Sequence, residues 1–284
     1  MSRIVYVNGE YLPEDEAKIS VFDRGFLFAD GVYEVTSVLK GKLIDNAGHL
    51  ARLHRSLNEL DMAAPASDSD IENIQKKLIE KNQIESGLVY LQVTRGAADR
   101  DFAYPKGVPS SLVMFTQQKN VIENPQVQTG MSVISVPDIR WQRRDIKTVG
   151  LLAPCMAKMA AKHEGADDAW LVEDGYVTEG SSNNAYIIDA NGTLITRHLG
   201  NEILAGITRK AVLQLAAEQD IKIEERLFTM DEAYAAREAF ITSATTFVMP
   251  VTSIDGKAIG DGKPGELTLR LREIYIRTML ESIS

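Results

Sequence analysis

The sequence predicts an α+β fold in two unequal parts, on three observations. Short alternating apolar segments end in turn-forming dipeptides, apolar residues elsewhere recur at helical spacing, and one polar stretch near the middle divides the chain of 284 residues. At roughly 100 to 200 residues per domain, two modest domains suit that length.

From the N-terminus, Val5, Tyr6 and Val7 run into Asn8-Gly9 and return through Tyr11-Leu12, a hairpin because Asn-Gly accepts the positive φ angles of a tight turn. Residues 32–39 form a second β segment, which turns at Lys40-Gly41 and comes back through Lys42-Leu43-Ile44. Leu50, Leu53, Leu57 and Leu60 recur three and four apart, which predicts a helix over about 47–61 with Arg52 and Arg55 on its polar face. Beyond a break at 65–70, whose Ser and Asp residues suit N-caps, Ile71, Ile74, Leu78 and Ile79 mark a second helix. Strands are predicted at 88–94 and 112–116. The polar stretch around 119–126 then reads as a linker between a smaller N-terminal domain, 1–118, and a larger C-terminal one, 127–284. In the latter, β segments are predicted at 131–136, 169–172, 185–188 and, after the Asn191-Gly192 turn, 193–196. Helices are predicted at 207–219 and 267–282, with a shorter one at 231–237.

Composition excludes several functions. Lys and Arg number 31 against 40 Asp and Glu, a formal charge of −9 and a pI near 5.1. Polyanion binders carry a basic excess, so neither nucleic acid nor an anionic membrane surface is expected as a partner. Cys155 is the only cysteine, which leaves no internal disulfide and no cysteine-based structural zinc site. No apolar run approaches the roughly 18 residues that span a bilayer. The first residues lack the pattern of a signal peptide, and the cytoplasm is the expected location. His49, His54, His163 and His198 have no metal-ligand spacing, and the glycine-rich dinucleotide and P-loop fingerprints are absent.

Several residues nevertheless invite chemistry. Lys147 precedes the apolar run 149–153; beside Arg143 and Arg144 it would ordinarily be one more solvated cation, but low-dielectric surroundings favour the amine that Schiff-base chemistry requires. Glu179 follows the Asp174-Gly175 turn as a loop carboxylate, backed by Ser181, Ser182 and Asn183, small polar residues able to hold it against a ligand. Ala205-Gly-Ile-Thr-Arg209 opens a helix whose first N–H groups, at Ile207 and Thr208, suit an anion, although every helix has such an end. Hydroxyls cluster at 242–246, where turns commonly use them. Arg100 lies in a loop and suits a carboxylate.

The series Asp23-Arg-Gly25, Phe28-Ala-Asp-Gly-Val-Tyr-Glu34, His49-Leu-Ala-Arg52, Val93-Thr-Arg-Gly96, Asp145-Ile-Lys147, Thr178-Glu-Gly-Ser-Ser-Asn183 and Gly206-Ile-Thr-Arg209 resembles the fold-type IV pyridoxal-phosphate enzymes. It looks most like the D-amino acid transaminases, and the likeness covers nearly the whole chain. The resemblance implies a two-domain enzyme with pyridoxal 5′-phosphate in the interdomain cleft, Lys147 as the Schiff-base lysine and proton-transfer base, and Glu179 on the pyridine nitrogen. It also implies cofactor contacts from Arg52, Ser181, Ser182, Asn183, Leu204, Ile207, Thr208 and Thr245, the last because Ala244 stands where relatives commonly place a threonine. Tyr33 and Arg100 would bind the substrate carboxylate. Phe102 stands where relatives carry the histidine of an Arg-x-His pair, so a more apolar pocket and an altered substrate preference are expected. The implied reaction exchanges the amino group of a D-amino acid, D-alanine foremost, with a 2-oxo acid such as 2-oxoglutarate, in a homodimer. Branched-chain L-amino acid transaminase, R-amine transaminase and aminodeoxychorismate lyase share the Lys and Glu framework and stand as alternatives. A non-catalytic binding protein that keeps the fold is the alternative outside enzymes.

Overall fold

A computed structural model describes Ser2–Ile283; Met1 and Ser284, the outer ends of the two expected domains, lie outside the described residues. The chain divides into two compact units. One runs up to Val121 and also takes in Ile146–Gly150; the other comprises Ile122–Asp145 and the chain from Leu151 onward.

The first unit is a six-stranded antiparallel sheet with three helices, of which the first is a single short turn. Its elements are β1 (Ile4–Val7), β2 (Glu10–Pro13), α1 (Arg24–Phe28), β3 (Gly31–Leu39), β4 (Lys42–Leu43), α2 (Asn46–Glu59), α3 (Asp68–Lys81), β5 (Ser86–Thr94) and β6 (Ser111–Gln118), with strand order β2-β1-β6-β5-β3-β4. The first hairpin pairs Val7 with Glu10, so Asn8 and Gly9 form the two-residue turn, both with positive φ. Ser67 caps α3 by accepting from the Asp70 N–H. Strand alternation sends Val32, Glu34, Thr36 and Val38 of β3 to one face, and all four are buried. On that side Val32 packs with Leu50, Leu53, Leu57, Ile71, Leu78, Leu91, Val93 and Ile146. The opposite face carries a stack of Tyr33 on Tyr90 and Tyr90 on Phe115, with ring centroids 5.6 and 4.7 Å apart.

Residues 146–150 lie along the start of β3. The Tyr33 N–H donates to the Lys147 carbonyl and the Val149 N–H to the Gly31 carbonyl, so this strip covers the edge of β3 that the short β4 does not reach. Alternation then places Ile146 in the helix-side core and Lys147 on the tyrosine side, its Nζ 4.2 Å from the Tyr33 ring centroid.

The second unit holds α4 (Gln126–Thr129), β7 (Met131–Pro137), α5 (Leu152–His163), β8 (Asp168–Glu173), β9 (Tyr176–Gly180), β10 (Asn184–Ile188), β11 (Leu194–Thr196), α6 (Ile207–Glu218), β12 (Ile223–Glu225), α7 (Met230–Tyr234), β13 (Glu238–Ser243), β14 (Phe247–Ile254), β15 (Lys257–Ala258) and α8 (Glu266–Ser282). Its mixed sheet runs β12-β11-β10-β13-β14-β7-β8-β9, with β15 on β14; the β11–β12, β14–β7 and β7–β8 pairs are parallel. Val133, Trp170, Val177, Ile187, Ile241 and Met249 lie in its buried core, and α6 and α8 pack against the sheet.

Three local expectations change. Glu179 belongs to strand β9 and not to a loop, because the Asp174-Gly175 turn sends the chain straight back along β8. Helix α5 was not predicted: Leu152, Met156 and Met159 point outward and only Ala157 and Ala161 are buried, so no apolar stripe announces it. Arg52 leaves the polar face expected for it and is buried, whereas Arg55 is exposed. Among the described residues no helix is long and apolar enough to cross a membrane.

Candidate active site

In the first unit, what buries Arg52 is Glu34. The strand register that turns Val32 and Val38 toward α2 turns the Glu34 carboxylate there too. Arg52 donates through Nε to Oε1 and through Nη2 to Oε2, both at 2.7 Å, and His49 Nδ1 lies 2.7 Å from Oε2. Burial alone would raise the Glu34 pKa, but the Arg52 charge and fork, with His49, pull it down to about 2. The guanidinium expected to hold a phosphate is thus fixed in plane by a carboxylate behind it. Lys147 is half-buried over Tyr33.

The loop with Arg100 and Phe102 rests on Asp30. Arg24 and Arg95 both donate to Asp30 Oδ2, at 2.7 and 2.8 Å, and Arg24 Nη1 donates onward to the Asp101 carbonyl. Arg95 also stacks on Tyr104, 3.5 Å from its ring centroid. Arg100 is exposed, its guanidinium 5.2 Å from the Phe28 centroid and 5.5 Å from that of Phe102. The two rings are 5.5 Å apart, and Phe102 remains 77% exposed. An apolar wall therefore flanks the loop cation that suits a carboxylate.

In the second unit, Glu179 is buried and accepts three hydrogen bonds: from Arg140 Nη1 on Oε1, and from Asn184 Nδ2 (3.0 Å) and the Leu204 N–H (3.2 Å) on Oε2. Arg140 also forks onto Asp138, whose Oδ2 accepts from the Thr178 hydroxyl. Burial pushes the Glu179 carboxyl up, and Arg140 and the Leu204 N–H only partly offset it. For Asp138 the same burial penalty is overcome by Arg140, and its pKa falls. Burial would lower the Arg140 pKa, but its two carboxylates raise it above the ordinary arginine value. With all three ionised, Asp138, Arg140 and Glu179 would sum to one net negative charge. Arg144, 3.5 Å from Asp138, brings its own partner Glu173 with it and leaves that sum unchanged.

Helix α6 starts at Ile207, with Gly206 as its N-cap. A Cβ on Gly206 would stand 2.1 Å from Asn184 Oδ1, so glycine here serves close approach. Ile207 is half-buried and Thr208 buried. Thr245 is half-buried, its hydroxyl 3.3 Å from that of Ser243.

Ser181 and Asn183 have a partner the sequence did not disclose. The Ser181 hydroxyl and the Asn183 amide both donate to the buried Asp168 of β8, so their side chains brace the turn after β9. Ser182 between them is exposed. Five further residues receive no role from the sequence: Glu34 and His49, which it names only within motifs, and Arg140, Asp168 and Asn184. Two had a signal. Glu34 is an acid on the apolar-facing register of a strand, and Asn184 opens the otherwise apolar Ala-Tyr-Ile-Ile188; both positions require a partner once buried.

Residues 31–254 match the family model for amino-transferase class IV. The chain is 42% identical over 276 residues to the D-alanine aminotransferase of Bacillus licheniformis, covering 97% of each. It is 37% identical to that of Listeria monocytogenes serotype 4b (strain F2365), covering 98% of this chain and 96% of that protein. Among solved structures, it superimposes on the branched-chain aminotransferase of Thermoproteus uzoniensis with norvaline at a TM-score of 0.88 and 25% identity, covering 99% of this chain and 96% of that one. The Escherichia coli branched-chain amino acid aminotransferase gives 0.90, at 21% identity, with coverage of 98% and 95%.

Proposed function

The chain belongs to the class IV amino-transferases, and from that membership we propose that it moves the amino group of a D-amino acid, D-alanine foremost, to a 2-oxo acid such as 2-oxoglutarate, using pyridoxal 5′-phosphate. The observation that carries the proposal is the setting of Glu179. Its carboxylate is buried, takes three protein donors of the roughly four a carboxylate accepts, and when ionised belongs to a cluster one positive charge short of balance. A protonated pyridine nitrogen supplies both the remaining donor and the charge, so these residues fit the cofactor. The nearly full-length likeness to D-alanine aminotransferases supports the choice of D-alanine.

When bound, the cofactor supplies an aldehyde that takes the amino group and a ring that accepts electrons. The chain's own residues have separate tasks. Glu179 keeps the proton on the ring nitrogen, with Arg140 and Asn184 holding the carboxylate still. Arg52, steadied by Glu34, and the Ile207 and Thr208 N–H groups bind the phosphate, with the Thr245 hydroxyl beside them and the Leu204 backbone and residues 181–183 shaping the walls. The Lys147 amine anchors the cofactor and takes the proton from the donor's Cα. Arg100 and the Tyr33 hydroxyl hold the donor carboxylate, while Phe102 and Phe28 give that carboxylate an apolar surround and weaken the grip on small polar donors. The functional form is a homodimer, in which the Arg100 loop serves the neighbouring copy.

A half-reaction screen tests the proposal. Purified protein should be yellow and change absorbance with D-alanine and not with L-leucine or R-amines; Lys147→Ala should abolish the change. Protein that takes up no pyridoxal phosphate, or that reacts with L-leucine and not with D-alanine, refutes it.

A further inference from the structure

Glu179 and the start of α6 are joined by one side chain. Asn184 Nδ2 donates to Glu179 Oε2 at 3.0 Å and to the Leu204 carbonyl at 2.9 Å, while the Leu204 N–H returns to the same Glu179 oxygen at 3.2 Å. The three residues close a small hydrogen-bonded ring between strand β9 and the segment that leads into α6. Asn184 is itself fixed, since it opens β10 and pairs with Thr242 of β13. Its carbonyl oxygen faces Gly206, where a Cβ would intrude to 2.1 Å. Gly206 has φ −66° and ψ 135°, which any residue adopts, so its lack of a side chain answers to Asn184 and not to backbone strain.

We propose that Asn184 is a positioning residue for the cofactor: its amide registers the Glu179 carboxylate, which meets the ring nitrogen, against the Leu204–Gly206 segment, which delivers the phosphate-binding helix start. The inference rests on the function proposed above. Physically, the two ends of one rigid ligand must be matched in spacing, and a displacement at either end loses hydrogen bonds at both. The Asn184 N–H also stabilises the charged form of Glu179. Without it, Glu179 would favour its protonated form and would hold a proton on the ring nitrogen less well.

The experiment uses holoenzyme reconstituted with ¹⁵N-labelled pyridoxal phosphate, in wild type and in Asn184→Ala, Asn184→Asp and Gly206→Ala. All three variants should release cofactor at least about tenfold faster than wild type, the scale of losing a hydrogen bond to a charged group. In Asn184→Ala the ring-nitrogen resonance should also move toward the unprotonated position. Gly206→Ala is an independent arm, because it keeps the amide and displaces it, and it decides the matter should the Asn184 variants fail to fold. Unchanged release and resonance in the folded variants overturn the proposal, even if their apo forms melt earlier, since a merely structural asparagine would change melting alone. Wild-type protein that takes up no cofactor overturns the proposed function and this inference with it.

Discussion

Replacing Glu34 with glutamine keeps the shape of the side chain and removes the charge on which Arg52 and His49 converge. The magnitude follows from the geometry. Glu34 is buried, three donors lie 2.7 Å from its two oxygens, and its pKa drops from 4.5 to about 2. At about 1.4 kcal/mol per pH unit, that depression is worth about 3 kcal/mol of folding free energy. Breaking a buried ion pair by removing one partner costs about 3–5 kcal/mol by an independent route. Because the folded-state pKa is depressed, the stabilisation is fully present above pH 4.5 and is lost as pH falls through about 2. Urea unfolding of the apo-protein, followed by far-UV circular dichroism at pH 7, 5, 4 and 3, should therefore show Glu34→Gln less stable by about 3 kcal/mol at pH 7 and 5. The gap should narrow at pH 4 and again at pH 3. Amide exchange should speed up first in β3 and α2. A deficit under about 1 kcal/mol at pH 7, or one as large at pH 3 as at pH 7, would refute the reasoning, since either would mean that the charge contributes nothing.

Arg140→Met should leave Asp138 and Glu179 as like charges without their shared cation; a loss of about 3 kcal/mol in apo-protein stability at pH 7 is expected, read by calorimetry. Phe102→His should restore a donor beside Arg100 and lower KM for D-alanine about fivefold to tenfold with kcat unchanged, checked by steady-state kinetics; a change confined to kcat would contradict the assigned place of this residue.

How much of this was legible in the sequence varied with how local each feature is. The Asn8-Gly9 hairpin needs nothing beyond its own residues, and both have the positive φ that the dipeptide suggests. The Leu50, Leu53 and Leu57 stripe follows from helical period, and all three are buried. Lys147 and Glu179 stand out by motif order, but their surroundings do not. Nothing near Arg52 in sequence announces Glu34, because the pair is made by strand register meeting a helix face eighteen residues along. Nothing near Ser181 and Asn183 in sequence announces their bonds to Asp168, because that buried carboxylate lies on another strand. Helix α5 escaped for a different reason: its large apolar side chains are exposed, and a pattern of burial cannot be read where there is little burial.

The strip 146–150 bears on how the molecule is made. Synthesis proceeds from the N-terminus, so β1 to β6 are complete while Ile122–Asp145 has still to be added. Until Lys147 and Val149 arrive, the backbone groups of Gly31 and Tyr33 that they will engage lie along an uncovered strand edge, the kind of surface that pairs with other chains. A nascent chain halted at Val121 would therefore be a sticky intermediate, and a co-translational requirement for chaperones would fall in that window. Lys147, the residue proposed to anchor the cofactor, thus enters the fold with the strip that finishes the earlier unit and sheds its aggregation hazard.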